Sequence, residues 1–211
     1  MTEGLQRTAY LNTMRGMLDR LPKIFIDIET THLDPSIGEI IEIHIIKEFT
    51  GMTVEYNRKI KPLHIETAHP KALEVNGYKP EDWSKAERLE NVAGYICDLL
   101  SYGVIIGHNV EFDYRWIKHH LEAVGCDTMK MTYIRFDTIS LCREHLPLRS
   151  SKMDHVRDFF GWSTENAHTA EKDCRDCRKL FYKLYRANIL QRMFWTFKHW
   201  MKKGPPKKER S

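Results

Sequence analysis

The chain has 211 residues, of which 42% are hydrophobic, 29% charged and 11% aromatic. This ordinary globular composition excludes collagen-like, mucin-like and wholly disordered proteins, and the length suits one domain with short appendages. No apolar run is long enough to cross a bilayer and the N-terminus lacks the apolar core of a secretory signal, so we expect a cytoplasmic protein without a transmembrane segment. Five scattered cysteines favour free thiols in a reducing compartment.

The net charge of +4 is distributed unevenly along the chain. Residues 175–211 contain twelve Lys or Arg and two acids, whereas residues 1–174 contain 21 basic and 27 acidic residues. The last stretch, from Lys202 to Arg210, is a short basic tail that is too small to bury a core. A mild total charge therefore hides an acidic body and a strongly basic end.

The hydrophobic pattern predicts an α/β chain that is rich in strands first and in helices later. The predicted strands are Lys23–Ile28, Glu39–Glu48, Met52–Ile60, Gly103–Gly107 and Tyr133–Asp137, with a hairpin across Thr50 and Gly51. Helices are predicted over Ser84–Tyr102, Val110–Val124, Ser151–Phe160 and from about Thr169 onward, and residues 1–22 form an extension that can hold an extra helix. This order predicts a mixed β-sheet flanked by α-helices.

Two carboxylates lie near the end of the first predicted strand. Side chains alternate across a strand, so Asp27 and Glu29 share a face with Phe25. The simpler interpretation is a pair of solvated acids. The alternative is a divalent cation site, because carboxylate oxygens suit Mg²⁺ or Mn²⁺ and unpaired like charges at a buried strand end are costly. An EF-hand is excluded, because His32 occupies the position of the turn glycine.

A third carboxylate, Asp113, lies in a His-Asn-x-x-Phe-Asp segment that follows the fourth predicted strand. Asn109 is the candidate N-cap of the next helix, which places Asp113 about one turn inside it. A carboxylate at that position also complements the helix dipole, and for Asp113 alone this interpretation is favoured.

His168 and Asp173 stand at the start of the last long predicted helix. A five-residue offset turns about 140° on a helix, so both can face one site only if His168 lies in the loop or first turn before it. A histidine near a metal can titrate near neutral pH and act as general base. The plainer alternative is an exposed histidine beside a surface helix.

The order of these groups, Asp27-x-Glu29, Asp113 and His168-x₄-Asp173, resembles the DEDDh family of 3′→5′ exonucleases. Similar local sequence surrounds them at Phe25 to Pro35, Leu73 to Tyr78, Asp137-Thr138 and Lys152 to Asp154. The resemblance spans roughly residues 23–185 and implies a ribonuclease-H-like fold. We expect an N-terminal extension over residues 1–22, an exonuclease domain over residues 23–188 and an aromatic and basic C-terminal helix or tail over residues 189–211.

The resemblance also implies a two-metal hydrolase that releases nucleoside 5′-monophosphates. The implied catalytic residues are four carboxylates that hold two Mg²⁺ or Mn²⁺ ions and a histidine that deprotonates water: Asp27, Glu29, Asp113, Asp173 and His168. The implied contacts to the substrate are Thr30, Thr31, Leu33, Asn76, Asn109 and Phe112. Many members of the family have His where this chain has Asn76. Leu33 can stack on a base without reading its identity.

We expect single-stranded DNA 3′ ends as substrate, because the segments around Asp27 and Asp113 look like those of proofreading exonucleases. A 3′ exoribonuclease acting on RNA or short oligonucleotides is the alternative, because the family's active-site residues do not distinguish DNA from RNA. Recognition of RNA needs a contact to the 2′-OH, and the sequence does not identify one. A second alternative is a non-catalytic module that binds nucleic acid or a polymerase. Such modules usually lose a carboxylate, and all five positions are kept here. A polymerase or another replication or repair protein is a candidate partner.

A zinc site is a further alternative, because Cys174-x-x-Cys177 with His155 and His168 has suitable ligand types. No second cysteine pair stands at the usual spacing, so free helical cysteines are the favoured interpretation.

The segment Ala187–Met201 mixes aromatic, aliphatic and basic residues. We expect a last helix that packs its apolar stripe on the domain. Partner docking, a membrane-surface helix and a nucleic-acid contact are the alternatives.

Overall fold

The computed structural model describes residues 13–14 and 16–203, with the side chains of residues 202 and 203 left out. Residues 13–14 and 16–20 are helical, which agrees with the expected extra helix in the N-terminal extension. The rest of that extension, residues 1–12 and 15, lies outside the described residues, as does most of the basic tail, residues 204–211.

Five strands form one mixed sheet in the order β3-β2-β1-β4-β5. They are β1 (Lys23–Thr30), β2 (Ile40–Phe49), β3 (Met52–Lys59), β4 (Val104–Gly107) and β5 (Arg135–Asp137). β1 pairs antiparallel with β2 and parallel with β4, and β4 pairs parallel with β5. The five predicted strands are confirmed, and β1 is the central strand of the sheet.

Seven helices follow or separate the strands over residues 70–203. They are α1 (Pro70–Asn76), α2 (Leu89–Leu99), α3 (Val110–Ala123), α4 (Thr138–His145), α5 (Met153–Phe160), α6 (Ala170–Tyr185) and α7 (Ile189–Lys203). Short 3₁₀ turns occupy Ile65–Thr67, Pro80–Trp83 and Thr128–Lys130. α2 begins later than the predicted Ser84, because Glu87 forms a β-bridge with Ile60.

Two helices were not predicted from the hydrophobic pattern, because both are short. α1 has Pro70 in its first turn and ends at Gly77, which adopts the left-handed conformation with φ 65°. α4 begins after Asp137, whose side chain accepts a hydrogen bond from Ile139 N–H. Both helices thus have recognisable capping residues at their ends, but neither is long enough to show a periodic pattern of apolar residues.

The sheet is covered on both faces. Ile24, Ile26 and Ile28 pack in a core with residues of α2 and α3, whereas Phe25 packs on the opposite face with residues of α4 to α6. The predicted alternation along β1 is therefore confirmed, and it places Asp27 and Glu29 on the same face as Phe25. Among the described residues, none belongs to a helix both long and apolar enough to span a bilayer.

α7 departs from the expected packing of its apolar stripe on the domain. Trp195 is buried against Phe160, and Arg192 donates to the carbonyl of Glu144. The large apolar side chains on the other side of the helix are exposed: Leu190, Met193, Phe194, Phe197 and Met201. The helix thus contacts the domain through its more polar side, and the interpretation favoured from the sequence is wrong.

Candidate active site

The first two carboxylates of the site are held by the central strand. In the pairing of β1 with β2, Asp27 lies opposite His44 and Glu29 opposite Glu42, just before an irregularity between Glu29 and Thr30. Oxygen atoms of Asp27, Glu29 and Asp173 all lie within 4.8 Å of one another. The fold therefore brings the ends of β1 and α6 together as a cluster of carboxylates.

Asp113 approaches the same place from α3. Its side chain is only 4% exposed and accepts hydrogen bonds from its own N–H and from Ile28 N–H, which ties α3 to β1. Asn109 occupies the predicted N-cap position with φ 82° but makes no capping hydrogen bond with its side chain. Its N–H instead donates to Asp137. Asp113 stands outside the 4.8 Å group, although its charge acts on Asp27.

The electrostatics of the cluster show strain between like charges. Burial raises the pKa of Asp27 and of Asp113 well above their ordinary value of 3.8, and neighbouring carboxylates add to both shifts. Burial, followed by the charges of Asp173, Glu42 and Asp113, raises the pKa of Glu29 to about 9. Without a cation, Glu29 holds a proton at neutral pH. The set contains only hard oxygen donors and lacks a neutralising positive charge at its centre, so it fits Mg²⁺ or Mn²⁺.

Asp173 is the carboxylate of the cluster that has a cationic partner. Arg157 of α5 is completely buried, and its Nη2 donates to Asp173 Oδ1 at 2.5 Å. Its other nitrogens donate to Asp154 Oδ1 at 2.9 Å and to Asp176 Oδ2 at 2.8 Å. One guanidinium thus joins α5 to α6 and orients a proposed metal ligand.

His168 lies in the loop before α6, as its convergence with Asp173 requires. Its backbone adopts the left-handed conformation with φ 64°, and its N–H donates to Asp173 Oδ1 at 3.2 Å. Thr169 caps the helix by accepting a hydrogen bond from Lys172 N–H. The imidazole is partly exposed, and its Nε2 lies 3.7 Å from Asp154 Oδ2. The predicted position of His168 in the loop before the helix that carries Asp173 is present.

Sequence reasoning missed two members of the site. Glu42 is only 6% exposed, faces Glu29 across the strands and accepts a hydrogen bond from Ala170 N–H at the start of α6. Arg157 was missed because an arginine is usually exposed. The sequence did offer one indication of its role, because Arg157 stands three residues after Asp154 on one predicted helix. In the structure these two residues form an ion pair.

The residues implied as contacts to the substrate have different roles in the structure. Leu33 is 79% exposed at the end of the loop after β1 and is free to contact another molecule. Thr31 is completely buried, and its N–H donates to Glu39. Asn76 is buried and donates to the carbonyl of Thr30, so it braces the end of β1. Phe112 is partly buried and packs beside Trp116, 5.8 Å between ring centroids.

Two open grooves meet at His168. The first has a volume of about 570 Å³ and is bordered by Asn76, Lys59 and the start of α6. The second has a volume of about 660 Å³ and lies between the His108-Asn109 turn and the segment 148–154. His168 therefore lines both grooves.

The alternative zinc site is not supported. Cys174 and Cys177 are both buried on α6, and burial raises the pKa of both thiols well above their ordinary value. His155 is exposed. In the part of the chain that the structure describes, the one cluster with the geometry of a metal site consists of carboxylates and contains no cysteine. The five cysteines are free thiols, as predicted.

Related sequences occur within larger proteins. The PolC-type DNA polymerase III of Thermotoga maritima is 33% identical over 159 residues, which cover 75% of this chain and 11% of that protein. The protein NEN2 of Arabidopsis thaliana is 26% identical over 175 residues, which cover 77% of this chain and 35% of that protein. The chain thus corresponds to a small part of these relatives.

The fold is shared with exonuclease I of E. coli. The zinc-bound complex of that enzyme with single-stranded DNA has a TM-score of 0.68 and 19% identity, covering 87% of this chain and 44% of that one. Its complex with a dA16 oligonucleotide has a TM-score of 0.68 and 19% identity, covering 84% of this chain and 43% of that one. The ribonuclease-H-like exonuclease fold, a mixed sheet flanked by helices, is confirmed.

The family described as Exonuclease, RNase_T, matches residues 24–181, which include Asp27, Glu29, Asp113, His168 and Asp173. This match covers well over half of the chain. The resemblance to DEDDh-type 3′→5′ exonucleases that the motifs indicate is therefore confirmed, and the chain belongs to the Exonuclease family.

Proposed function

We propose that this chain hydrolyses the last phosphodiester of a single-stranded DNA 3′ end and releases a nucleoside 5′-monophosphate. The observation that carries the proposal is the convergence of Asp27, Glu29 and Asp173 within 4.8 Å, beside a buried Asp113 and a loop-borne His168. Such a set of carboxylates costs folding free energy unless a cation neutralises it, so we attribute it to catalysis.

The four carboxylates are proposed to hold two Mg²⁺ or Mn²⁺ ions. When bound, these ions would supply Lewis acidity for water and for the leaving oxygen. The protein contributes a rigid frame, because Asp27 and Glu29 stand on the central strand, Asp113 is hydrogen-bonded to that strand, and Asp173 is fixed by Arg157. Glu42, buried beside Glu29, adds negative charge that further favours a cation.

His168 is proposed as the general base. Its imidazole takes a proton from the attacking water, the water oxygen forms a bond to phosphorus, and the bond from phosphorus to the 3′-oxygen breaks. A proton from solvent then neutralises the 3′-oxygen that leaves. Asp154, 3.7 Å from Nε2 of His168, stabilises the imidazolium that forms during this step. Partial exposure lets His168 return its proton to solvent after each turnover.

Leu33 and the end of β1 are proposed to receive the terminal nucleotide. The exposed Leu33 side chain offers an apolar surface for a base, and Asn76 supports the backbone at Thr30. Since stacking of this kind does not read base identity, removal of any of the four nucleotides is expected. The choice of DNA rests on the likeness to the exonuclease I complex with single-stranded DNA. Association with a polymerase stays a prediction.

The test is a degradation panel with 5′-labelled single-stranded DNA, duplex DNA and RNA, each with Mg²⁺, Mn²⁺ or EDTA. We expect stepwise shortening of the single-stranded DNA from its 3′ end, with mononucleotide products and no reaction in EDTA. Asp27→Asn is the matched inactive control, because it keeps the shape of the side chain and removes the charge.

Three outcomes of this panel would contradict the proposal. Faster degradation of RNA than of DNA would change the substrate. Internal cleavage would show that the enzyme is an endonuclease. Equal activity of Asp27→Asn and the wild type would show that the proposed metal site is not needed for hydrolysis.

A further inference from the structure

The second groove at His168, which we call the cationic groove, has the charge of a site for a polyanion. It is lined by His108 and Asn109 on one side and by Arg143, Arg149 and Lys152 on the other. We propose that the cationic groove binds the phosphodiester backbone of the single strand on the 5′ side of the cleaved bond. The inference rests on the proposed exonuclease function and names the path of its substrate.

Three basic side chains of the groove are available to a ligand. Arg143, Arg149 and Lys152 are exposed, and none of them forms an ion pair with any residue that the structure describes. The one acid that lines the groove, Asp154, is already paired with Arg157. Basic side chains that have no partner within the protein attract phosphate groups. When they bind a nucleic acid, the counterions around its phosphates are released.

Neutral donors complete the groove. The side chain of Asn109 makes no capping hydrogen bond, although Asn109 stands at the start of α3 and lines the groove. Ser150 and Ser151 line the opposite wall. Amide and hydroxyl groups of this kind commonly contact phosphate and sugar oxygens, and such contacts position a strand without reading its sequence.

The other groove at His168 is less suited to a polyanion. Two of its three basic residues are engaged with carboxylates, Lys172 with Asp176 and Arg175 with Glu55 and Glu171, and the third, Lys59, lies over the ring of Trp83. It is also lined by three acids, Glu42, Asp82 and Glu171, whereas the cationic groove is lined by Asp154 alone. With histidine counted as neutral, the side chains that line the first groove thus have no net charge, whereas those that line the cationic groove have a net charge of +2.

The direction of the strand follows from this difference. Asn76 lines the first groove and braces the end of β1, where the terminal nucleotide is proposed to bind. If the last nucleotide occupies that side and the cleaved bond lies at His168, the remaining strand leaves through the cationic groove. The chemistry of the groove thus fits a single strand longer than two nucleotides, held by its backbone.

The experiment compares Arg143→Gln/Arg149→Gln with the matched control Arg20→Gln/Lys130→Gln. Arg20 and Lys130 are exposed and precede β1 and β5, so they lie at the opposite edge of the sheet from the site. The Kd of fluorescein-labelled dT20 is measured by anisotropy at several salt concentrations in EDTA. Hydrolysis of the p-nitrophenyl ester of thymidine 5′-monophosphate with Mn²⁺ reports on the catalytic centre alone.

We expect the groove variant to bind dT20 roughly tenfold more weakly than the control at low salt. The slope of log Kd against log salt should fall by about 1.4, since each lost phosphate contact on a single strand contributes about 0.7. Turnover of the small ester should equal that of the wild type. The groove proposal would be overturned if the groove variant and the control had equal Kd values and salt slopes. It would also be overturned if the wild type did not bind dT20.

The two proposals fail in different ways. If the wild type does not turn over the ester or shorten DNA, the proposed exonuclease function fails, whatever the anisotropy shows. If the wild type is active and the groove variant binds like the control, the path of the strand alone is wrong. If the groove variant loses ester turnover as well, Arg143 and Arg149 support the centre itself, and the groove proposal is rejected.

Discussion

The completely buried Arg157 and the backbone N–H of His168 donate to the same oxygen, Oδ1 of Asp173. An oxygen of the same carboxylate lies within 4.8 Å of oxygens of Asp27 and Glu29. The proposed metal ligand Asp173, Arg157 and the backbone of the proposed general base His168 are therefore held in one hydrogen-bonded unit.

Arg157→Met is expected to lower both stability and metal affinity. It leaves Asp154, Asp173 and Asp176 together without the guanidinium, and loss of one partner of a buried ion pair typically costs about 3–5 kcal/mol. Denaturant unfolding measures the loss of stability, and calorimetric titration with Mn²⁺ measures the affinity.

Arg157→Lys is the informative companion, because an ammonium keeps the charge but cannot donate to three carboxylates in the same fixed directions. We expect it to recover part of the stability and little of the activity. Full recovery of activity by lysine would show that charge alone is needed at this position.

The metal-free protein is expected to lose stability as the pH rises. Because the pKa of Glu29 is raised from 4.5 to about 9 in the folded state, folded Glu29 keeps a proton that the unfolded chain releases. Its contribution to stability is full below about pH 4.5 and is lost as the pH approaches 9. Asp27 and Asp113 shift in the same direction. Scanning calorimetry in EDTA from pH 5 to 9 measures the decline.

Mn²⁺ should reverse this decline, since the cation competes with protons for the same oxygens. The gain in Tm on adding Mn²⁺ is therefore expected to grow with pH. Glu29→Gln is the control: its metal-free Tm at pH 8 should exceed that of the wild type, and its gain with Mn²⁺ should shrink. A metal-free Tm that rises between pH 6 and 9 would contradict the assignment of the pKa shifts.

His168→Ala is expected to slow the chemical step far more than it weakens metal binding. General base catalysis typically contributes about 10²–10⁴-fold, so kcat should fall by a factor in this range. The measurement is single-turnover cleavage of labelled DNA from pH 6 to 9, with Mn²⁺ affinity determined in parallel. A normal kcat across that range would remove His168 as the base.

Asp27→Ala and Asp173→Ala are expected to abolish activity with the fold intact. Circular dichroism checks the fold, and release of mononucleotides in Mn²⁺ measures activity. Release at the wild-type rate by either variant would falsify the assignment of these residues as metal ligands.

Gly38→Ala is expected to disturb the loop that carries Leu33. A Cβ at Gly38 would lie 2.5 Å from His32 Cβ and 2.9 Å from the Trp116 ring, so the loop must shift. Overpacking of this kind typically costs about 1–3 kcal/mol. We expect a lower Tm and a higher KM for DNA, measured by calorimetry and steady-state cleavage.

Gly94→Ala is the matched control. A Cβ at Gly94, within α2, would meet open space, so this substitution should stabilise the protein slightly.

The two sides of α7 are expected to respond differently to substitution. Trp195 is 9% exposed and packs on Phe160, so Trp195→Ala should cost several kcal/mol, about 3–5 by analogy with buried aromatic residues. Phe197 is 58% exposed, and Phe197→Ala should change stability by less than about 0.5 kcal/mol. Denaturant unfolding of the two variants compares them. A large loss for Phe197→Ala would show that its side of the helix is covered.

Much of the site was predictable because it depends on local rules. The alternation along β1 places Asp27 and Glu29 on one face whatever the rest of the chain does. The offset of His168 from Asp173 requires a loop followed by a helix, and the structure has Thr169 as the N-cap between them. These inferences used only the periods of strands and helices and the chemistry of helix ends.

The remaining features depend on long-range packing. Arg157 is buried because α5 lies against α6, and no local pattern shows that three acids, two of them 16 and 19 residues away, surround one guanidinium. The burial of Asn76 requires contact with Thr30, 46 residues earlier in the chain. The expectation that the apolar side of α7 packs on the domain was wrong. The periodicity of a helix shows which residues share a face, but it does not show which face contacts the rest of the protein.

The position of Asp27 and Glu29 on β1 has a consequence for the motions of the molecule. β1 is paired with β2 along Lys23–Thr30 and also with β4 over Lys23–Phe25, so the amides in its first half exchange with solvent only when the sheet opens. Hydrogen exchange there should be as slow as global unfolding, whereas the loop that holds His168 can open without the sheet. The proposed metal ligands Asp27 and Glu29 therefore stay in place through many local openings of the loop, while the proposed base His168 exchanges with its surroundings on a faster timescale.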